Sequence, residues 1–132
     1  MREADPQAQK AFIDLLHRIC GGIRVSTRYP RQPKFPHVVV TRVGGATPNR
    51  ITDAATMSVQ VYAETEYEAE QVAGLIRQAL RSESWKGMRL SGHRVRGWRE
   101  YAAPQRFLDP DRENLVRFQY SGQLLISLLT NQ

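Results

Sequence analysis

The closing segment of the chain alternates apolar and polar residues over an unusually long stretch. Val116, Phe118, Tyr120, Leu124, Ile126 and Leu128 fall on one side, and Arg117, Gln119, Ser121, Gln123 and Ser127 on the other. Successive side chains point to opposite faces only in an extended strand, so one face of this segment must lie against a core. Fourteen residues at about 3.3 Å each reach roughly 45 Å. That exceeds what the core of a 132-residue chain requires, and the end is expected to project or to pair with another chain.

A second alternation runs from Ala54. Ala55, Met57, Val59, Val61 and Ala63 point one way and Thr56, Ser58, Gln60 and Tyr62 the other, which predicts a strand with one buried face. Two helical stripes complete the core. Ala8, Phe12, Leu15 and Ile19 recur at helical spacing behind Asp5-Pro6, read as a cap and a first-turn proline, and Gly21-Gly22 stops that helix. Ala69, Val72, Ala73, Ile76, Ala79 and Leu80 form the other stripe. It is opened by a Thr65/Glu68 capping box and carries acids near its start and Arg77 and Arg81 near its end.

Three further strands are expected: Ile23 to Tyr29, the apolar run from His37 to Val43, and Met88 to Trp98 with a bulge or bend at Gly92. Gly44-Gly45 and Pro48-Asn49 predict a loop up to about Asp53, too long for a tight hairpin, and Pro104 with Asp109-Pro110-Asp111 predicts another from Ala103 to Asn114. The order of helix, three strands, helix and two strands gives a single α+β domain over residues 1–132. Its sheet should be mostly antiparallel, of about five strands, with two α-helices packed on one face.

Chemistry-bearing constellations are scarce. His17, His37 and His93 have neither an H-x-x-x-H pair nor a Cys or acid at ligand spacing, so neither metal nor cofactor is expected. No G-x-S-x-G elbow, P-loop or G-x-G-x-x-G is present, Cys20 reads as a small core residue, and Asp109 and Asp111 read as solvent-exposed turn formers. The expectation is a protein that is not an enzyme. One cysteine excludes an intramolecular disulfide framework. No run of eighteen apolar residues exists and the polar stretch from Met1 to Lys10 lacks a signal-peptide core, so no membrane partner is expected.

The charge does need an explanation. Nineteen Lys and Arg against thirteen Asp and Glu give a formal net charge of +6, and sixteen of the cations are Arg. They gather in acid-poor stretches. Between Asp14 and Asp53 stand Arg18, Arg24, Arg28, Arg31, Lys34, Arg42 and Arg50 with no acid; between Lys86 and Arg106 stand Arg89, Arg94, Arg96 and Arg99 with Glu100 as the one acid. Tyr29, Phe35, Trp98 and Tyr101 are interleaved with them. Such residues suit phosphate contact and base stacking in a small nucleic-acid-binding module, or ion pairs at subunit seams.

The segments FPHVVVTRVGG (Phe35 to Gly45), ITDAATMSVQVYAETEYEAEQVAGLIRQAL (Ile51 to Leu80) and DPDRENLVRFQYSGQLLISLL (Asp109 to Leu129), in this order behind an amphipathic helix, resemble the tail terminator proteins of long-tailed, siphovirus-type bacteriophages. The likeness is to those of actinobacterial phages and prophages and covers nearly the whole chain. It implies a structural virion protein at the head-tail junction, assembled in the host cytoplasm. The implied form is a homo-hexameric ring that sits on the major tail tube protein, ends tube polymerisation and offers its other face to the head-completion or stopper protein. DNA passing through such a ring would meet it non-specifically. The resemblance transfers roles to segments only: Gly44 and Gly45 through Arg50 to Asp53 as a docking loop, and Arg28, Arg31, Lys34, Arg94, Arg96 and Arg99 as cations of the lumen or of subunit interfaces. A stopper or tail-completion protein is the neighbouring alternative within the phage neck.

Overall fold

The closing alternation forms the last strand, β6 (Val116–Ser127), and this strand lies in the middle of the sheet. β3 (Thr52–Ala63) pairs with its whole length, from Thr52 opposite Ser127 to Ala63 opposite Val116, and β5 (His93–Phe107) covers its other side. Both backbone edges are therefore satisfied inside the subunit. Its length predicts a projecting end, but the strand is paired from Val116 to Ser127 and does not project. Outside these lie β2 (His37–Asn49) with β1 (Val25–Ser26) on one flank and β4 (Arg89–Leu90) on the other, giving the order β1-β2-β3-β6-β5-β4. The sheet has six strands rather than five, and only the β1/β2 pair is parallel. It curls into a half-barrel. The computed structural model describes residues 5–129; residues 1–4, the start of the polar N-terminal stretch, and residues 130–132 lie outside the described residues.

Both helices cover the same face. α1 (Ala8–Cys20) buries Ala8, Ala11, Phe12, Leu15 and Leu16, and α2 (Glu66–Arg81) buries Ala69, Ala73, Ile76 and Leu80, all in one cluster with Val38, Val40, Met57, Val59, Val61, Phe118, Tyr120, Leu124 and Ile126 of the sheet. Thr65 caps α2 as its sequence predicts, its hydroxyl accepting from the Glu68 N–H at 3.2 Å. Asp5 does not cap α1: the helix starts behind Gln7, whose side chain makes no capping bond, and Pro6 is buried. Trp98 of β5 stacks on Phe12 with ring centroids 5.3 Å apart. Gly122 makes room for it, since a Cβ there would collide with the indole and with the Arg99 carbonyl oxygen. Trp85, in a 3-10 turn (Glu83–Trp85) that no local spacing announces, is buried and donates its indole N–H to the Leu80 carbonyl at 3.1 Å.

The principal departures from expectation concern loops that are strands. β2 continues through Gly44-Gly45 and Pro48 and turns into β3 with Asn49 opposite Thr52, so the expected loop to Asp53 is a hairpin with register shifts at Arg42/Gly44 and Ala46/Asn49. Gly45 has φ of +119°, and a Cβ there would run into the Ala54 carbonyl oxygen, so glycine here permits close pairing. Of the bulge or bend expected at Gly92, the structure has the bend. Ser91 (φ 52°) and Gly92 (φ 83°) form a two-residue turn between β4 and β5, the positive-φ pair that suits the twist of a hairpin. β5 then runs on through Pro104 to Phe107, with Pro104 at a register shift on an outermost stretch where its missing N–H leaves no ladder bond unmade. The strand expected from Ile23 to Tyr29 shrinks to β1.

Candidate interaction surfaces

Three surfaces collect the charged residues that the sequence singles out. The first is the β2/β3 hairpin, exposed from Val43 to Ile51, with Gly44, Gly45 and Arg50 on it. Its base is held by Arg42 and Asp53. The guanidinium donates from both terminal nitrogens to the two carboxylate oxygens at 2.8 Å each, and its Nε donates to the Gly44 carbonyl at 2.9 Å. The Arg42 N–H donates to Gln9 Oε1 of α1 at 3.0 Å. Asp53 keeps only 5% of its side chain exposed, so it requires this partner, and the hydrogen bond to Asp53 raises the Arg42 pKa further. An acid standing alone in an otherwise apolar and small-polar strand was the available signal for this clamp. At the tip, the Ile51 N–H donates to Asn49 Oδ1 at 2.9 Å and the Leu128 N–H to the Ile51 carbonyl at 2.8 Å.

The second surface is the segment around β1, where Arg24, Arg28, Arg31 and Lys34 are exposed together. Ser26 Oγ donates to the Arg28 carbonyl at 2.5 Å and lies 2.7 Å from His37 Nε2. Burial and the charge of Arg24 push the His37 pKa down. Tyr29 anchors the segment to the sheet face opposite the helices. Its ring meets Tyr62 of β3 edge-on at 5.0 Å, and the Arg112 guanidinium sits 3.6 Å from its centroid. Arg112 donates to Asp109 at 2.9 Å, and Asp109 also accepts from the Asp111 N–H at 3.1 Å and the Tyr62 hydroxyl at 3.3 Å. Asp109 is thus a turn former, as expected, but its carboxylate is not open to solvent, with 8% of the side chain exposed. Burial pushes its pKa up. The bonds from Arg112, the Asp111 amide and Tyr62, with the charge of Arg112, outweigh that and leave it below the ordinary carboxylate value.

The third surface is the opposite flank, made by β5 and the start of α2. Arg94, Arg96 and Arg99 stand on β5, across β3 and β6 from the basic segment. Arg94 donates to the Gly87 carbonyl at 2.6 Å. Glu100 receives two bonds from Arg77 of α2, at 2.7 and 2.8 Å, and Arg106 lies 3.6 Å from Glu66. Around this Glu66, the side chains of Glu64, Tyr67 and Glu70 are exposed. The two basic stretches therefore occupy opposite margins of the sheet. Of the aromatic residues interleaved with them, Tyr29 and Trp98 are engaged in packing within the subunit, and Tyr101 stands 56% exposed.

Among the described residues no group of His, Cys, Asp and Glu could hold a metal ion, and no helix is long and apolar enough to cross a membrane. What the surface offers is contact area: exposed strand edges, a basic segment without acids on one flank, and both arginines and acids on the other. Those are the attributes of a component of a larger protein assembly.

The family comparison identifies the assembly. The profile described as tail completion protein gp17 matches residues 14–119, and the chain belongs to that family. It is a structural protein of the phage virion tail. The fold is similar to that of a chain in the virion of a native gene transfer agent (GTA) particle, with a TM-score of 0.63 at 14% identity over 90% of this chain and 93% of that one. No curated protein sequence matches significantly.

Proposed function

We propose that the chain completes the tail as a homo-hexameric ring that docks on the last ring of the major tail tube protein, halts tube growth and presents its other face to the head-completion or stopper protein. The observation that carries this reading is the pair of open edges on opposite sides of the sheet. β2 has no strand partner on its outer side beyond the β1 pairing at Val38 and Val39, and β5 has none beyond the β4 hairpin, among the described residues. Two different open edges per subunit favour a head-to-tail contact, and a head-to-tail contact that closes makes a ring.

Family membership supports the place of action, at the end of the tail. The mechanism is steric: docking satisfies one face of the tube end, and the ring withholds the surface that would recruit the next tube subunits. The β2/β3 hairpin, exposed along its β2 arm from Val43 to Asn49 and held at its base by Arg42 and Asp53, is the candidate docking element. Polymerising purified tube protein with and without the chain tests the reading. Tubes that stop lengthening when the chain is added support it; equal length distributions overturn it.

A further inference from the structure

Resting on the ring reading, we infer which surfaces form its seam: the β1/β2 flank of one copy, with Arg28, Arg31 and Lys34, docks on the β5/α2 flank of the next, with Glu64, Glu66, Tyr67 and Glu70. Three observations converge. The first is backbone: the proline-free open stretches are Val43 to Thr47 on β2 and Arg96 to Ala103 on β5, at opposite margins of one sheet. The second is apolar surface beside those stretches, Val43 at 60% exposure on one flank and Tyr101 at 56% and Tyr67 at 78% on the other.

Charge is the third. Arg28, Arg31 and Lys34 have no ion-pair partner among the described residues, nor have Glu64 and Glu70, and Glu66 has only the long contact to Arg106. Within the subunit they stand on opposite flanks at the same end of the sheet, the basic segment by the His37 end of β2 and the acids by Arg106 of β5, with Val61 of β3 and Phe118 of β6 between them in register, while Arg94, Arg96 and Arg99 stand further along β5. A second copy meets both requirements at once. The same charges disfavour a two-fold contact between two basic flanks, which would gather like charges along one seam. Tyr67, exposed among acids, adds a ring face on which an arriving guanidinium can stack.

Charge reversal in the full chain tests the seam. One variant carries Arg28→Glu with Arg31→Glu, the other Glu66→Lys with Glu70→Lys; all four side chains are exposed, and melting curves are to check that both variants fold. Sedimentation, alone and on tube ends, should show each variant needing about tenfold or more protein to assemble than the wild type. An equimolar mixture of the two should assemble again, because every alternating seam then joins opposite charges. Carbodiimide coupling of a mixture of isotopically light and heavy wild type gives an independent readout, a mixed-isotope amide between Lys34 and Glu64, Glu66 or Glu70. If the wild type forms rings while each variant does so equally well, or Lys34 couples elsewhere, the seam is overturned and the ring stands. A wild type that stays monomeric alone and on tube ends overturns both.

Discussion

Arg42 and Asp53 face each other across the β2/β3 hairpin through two parallel hydrogen bonds of 2.8 Å, next to the bulge that separates Arg42 from Gly44 in the pairing register. A forked guanidinium-carboxylate pair fixes orientation as well as distance. It therefore sets the direction in which the exposed hairpin leaves the body of the protein.

Truncating Arg42 to Ala strands the Asp53 carboxylate in a buried position. The pair is exposed on its arginine side and buried on its acid side, so the loss lies between the surface and buried limits, about 2 kcal/mol. Urea denaturation should show that loss, and amide exchange should speed up from Val43 to Asn49. Restoring an apolar pair with Arg42→Met and Asp53→Leu should recover most of the stability while leaving the hairpin less well oriented.

Gly122→Ala should destabilise the fold by about 1–3 kcal/mol, the range for overpacking a filled site, because the added Cβ meets the Trp98 indole and the Arg99 carbonyl together. Equilibrium unfolding measures it. Gly74→Ala is the control: a Cβ at that helical position meets nothing within 4 Å, so stability should hold or rise.

These sites differ in how far the sequence announces them. β3, β6 and α2 follow from alternation, helical spacing and the Thr65/Glu68 pair, since there local preference and tertiary packing agree. β2 beyond Val43 and β5 beyond Ala102 carry Gly and Pro that signal loops locally. Cross-strand pairing with β3 and β6 overrides that signal, and pairing is a property of the fold rather than of a window of residues. The charged stretches were legible by position, but not which arginines are already occupied. Arg42 with Asp53, Arg77 with Glu100, and Arg112 with Tyr29 and Asp109 depend on registers and bulges that spacing does not encode.

Acid should loosen the basic segment first. His37 and Asp109 both have pKa values lowered in the fold, so the unfolded chain binds more protons than the native one as the pH falls through their ordinary values, 6.5 and 3.8. The His37 contribution is fully present above its ordinary value and is lost as the pH falls through its lowered one. The Asp109 contribution is lost in the same way in the carboxylate range. Thermal melts across this range should show falling stability on acidification, and His37→Gln should remove the upper part of the slope. An unchanged slope in that variant contradicts the assignment.

Cys20 should be a slow thiol. Burial pushes its pKa to about 11, and the thiolate is the nucleophile. Iodoacetamide at about pH 8, near the ordinary thiol range, should label the native protein far more slowly than the urea-unfolded chain. Equal rates would contradict the placement of Cys20 against the core.

Counting copies on single tube ends tests the central claim most directly. Fluorescently labelled protein, bound to immobilised tail tubes and bleached to completion, should lose its signal in six steps at the tube end, and ends carrying six copies should not elongate when tube protein is supplied. Ends that carry one or two copies, or that keep growing with the full complement bound, would contradict it.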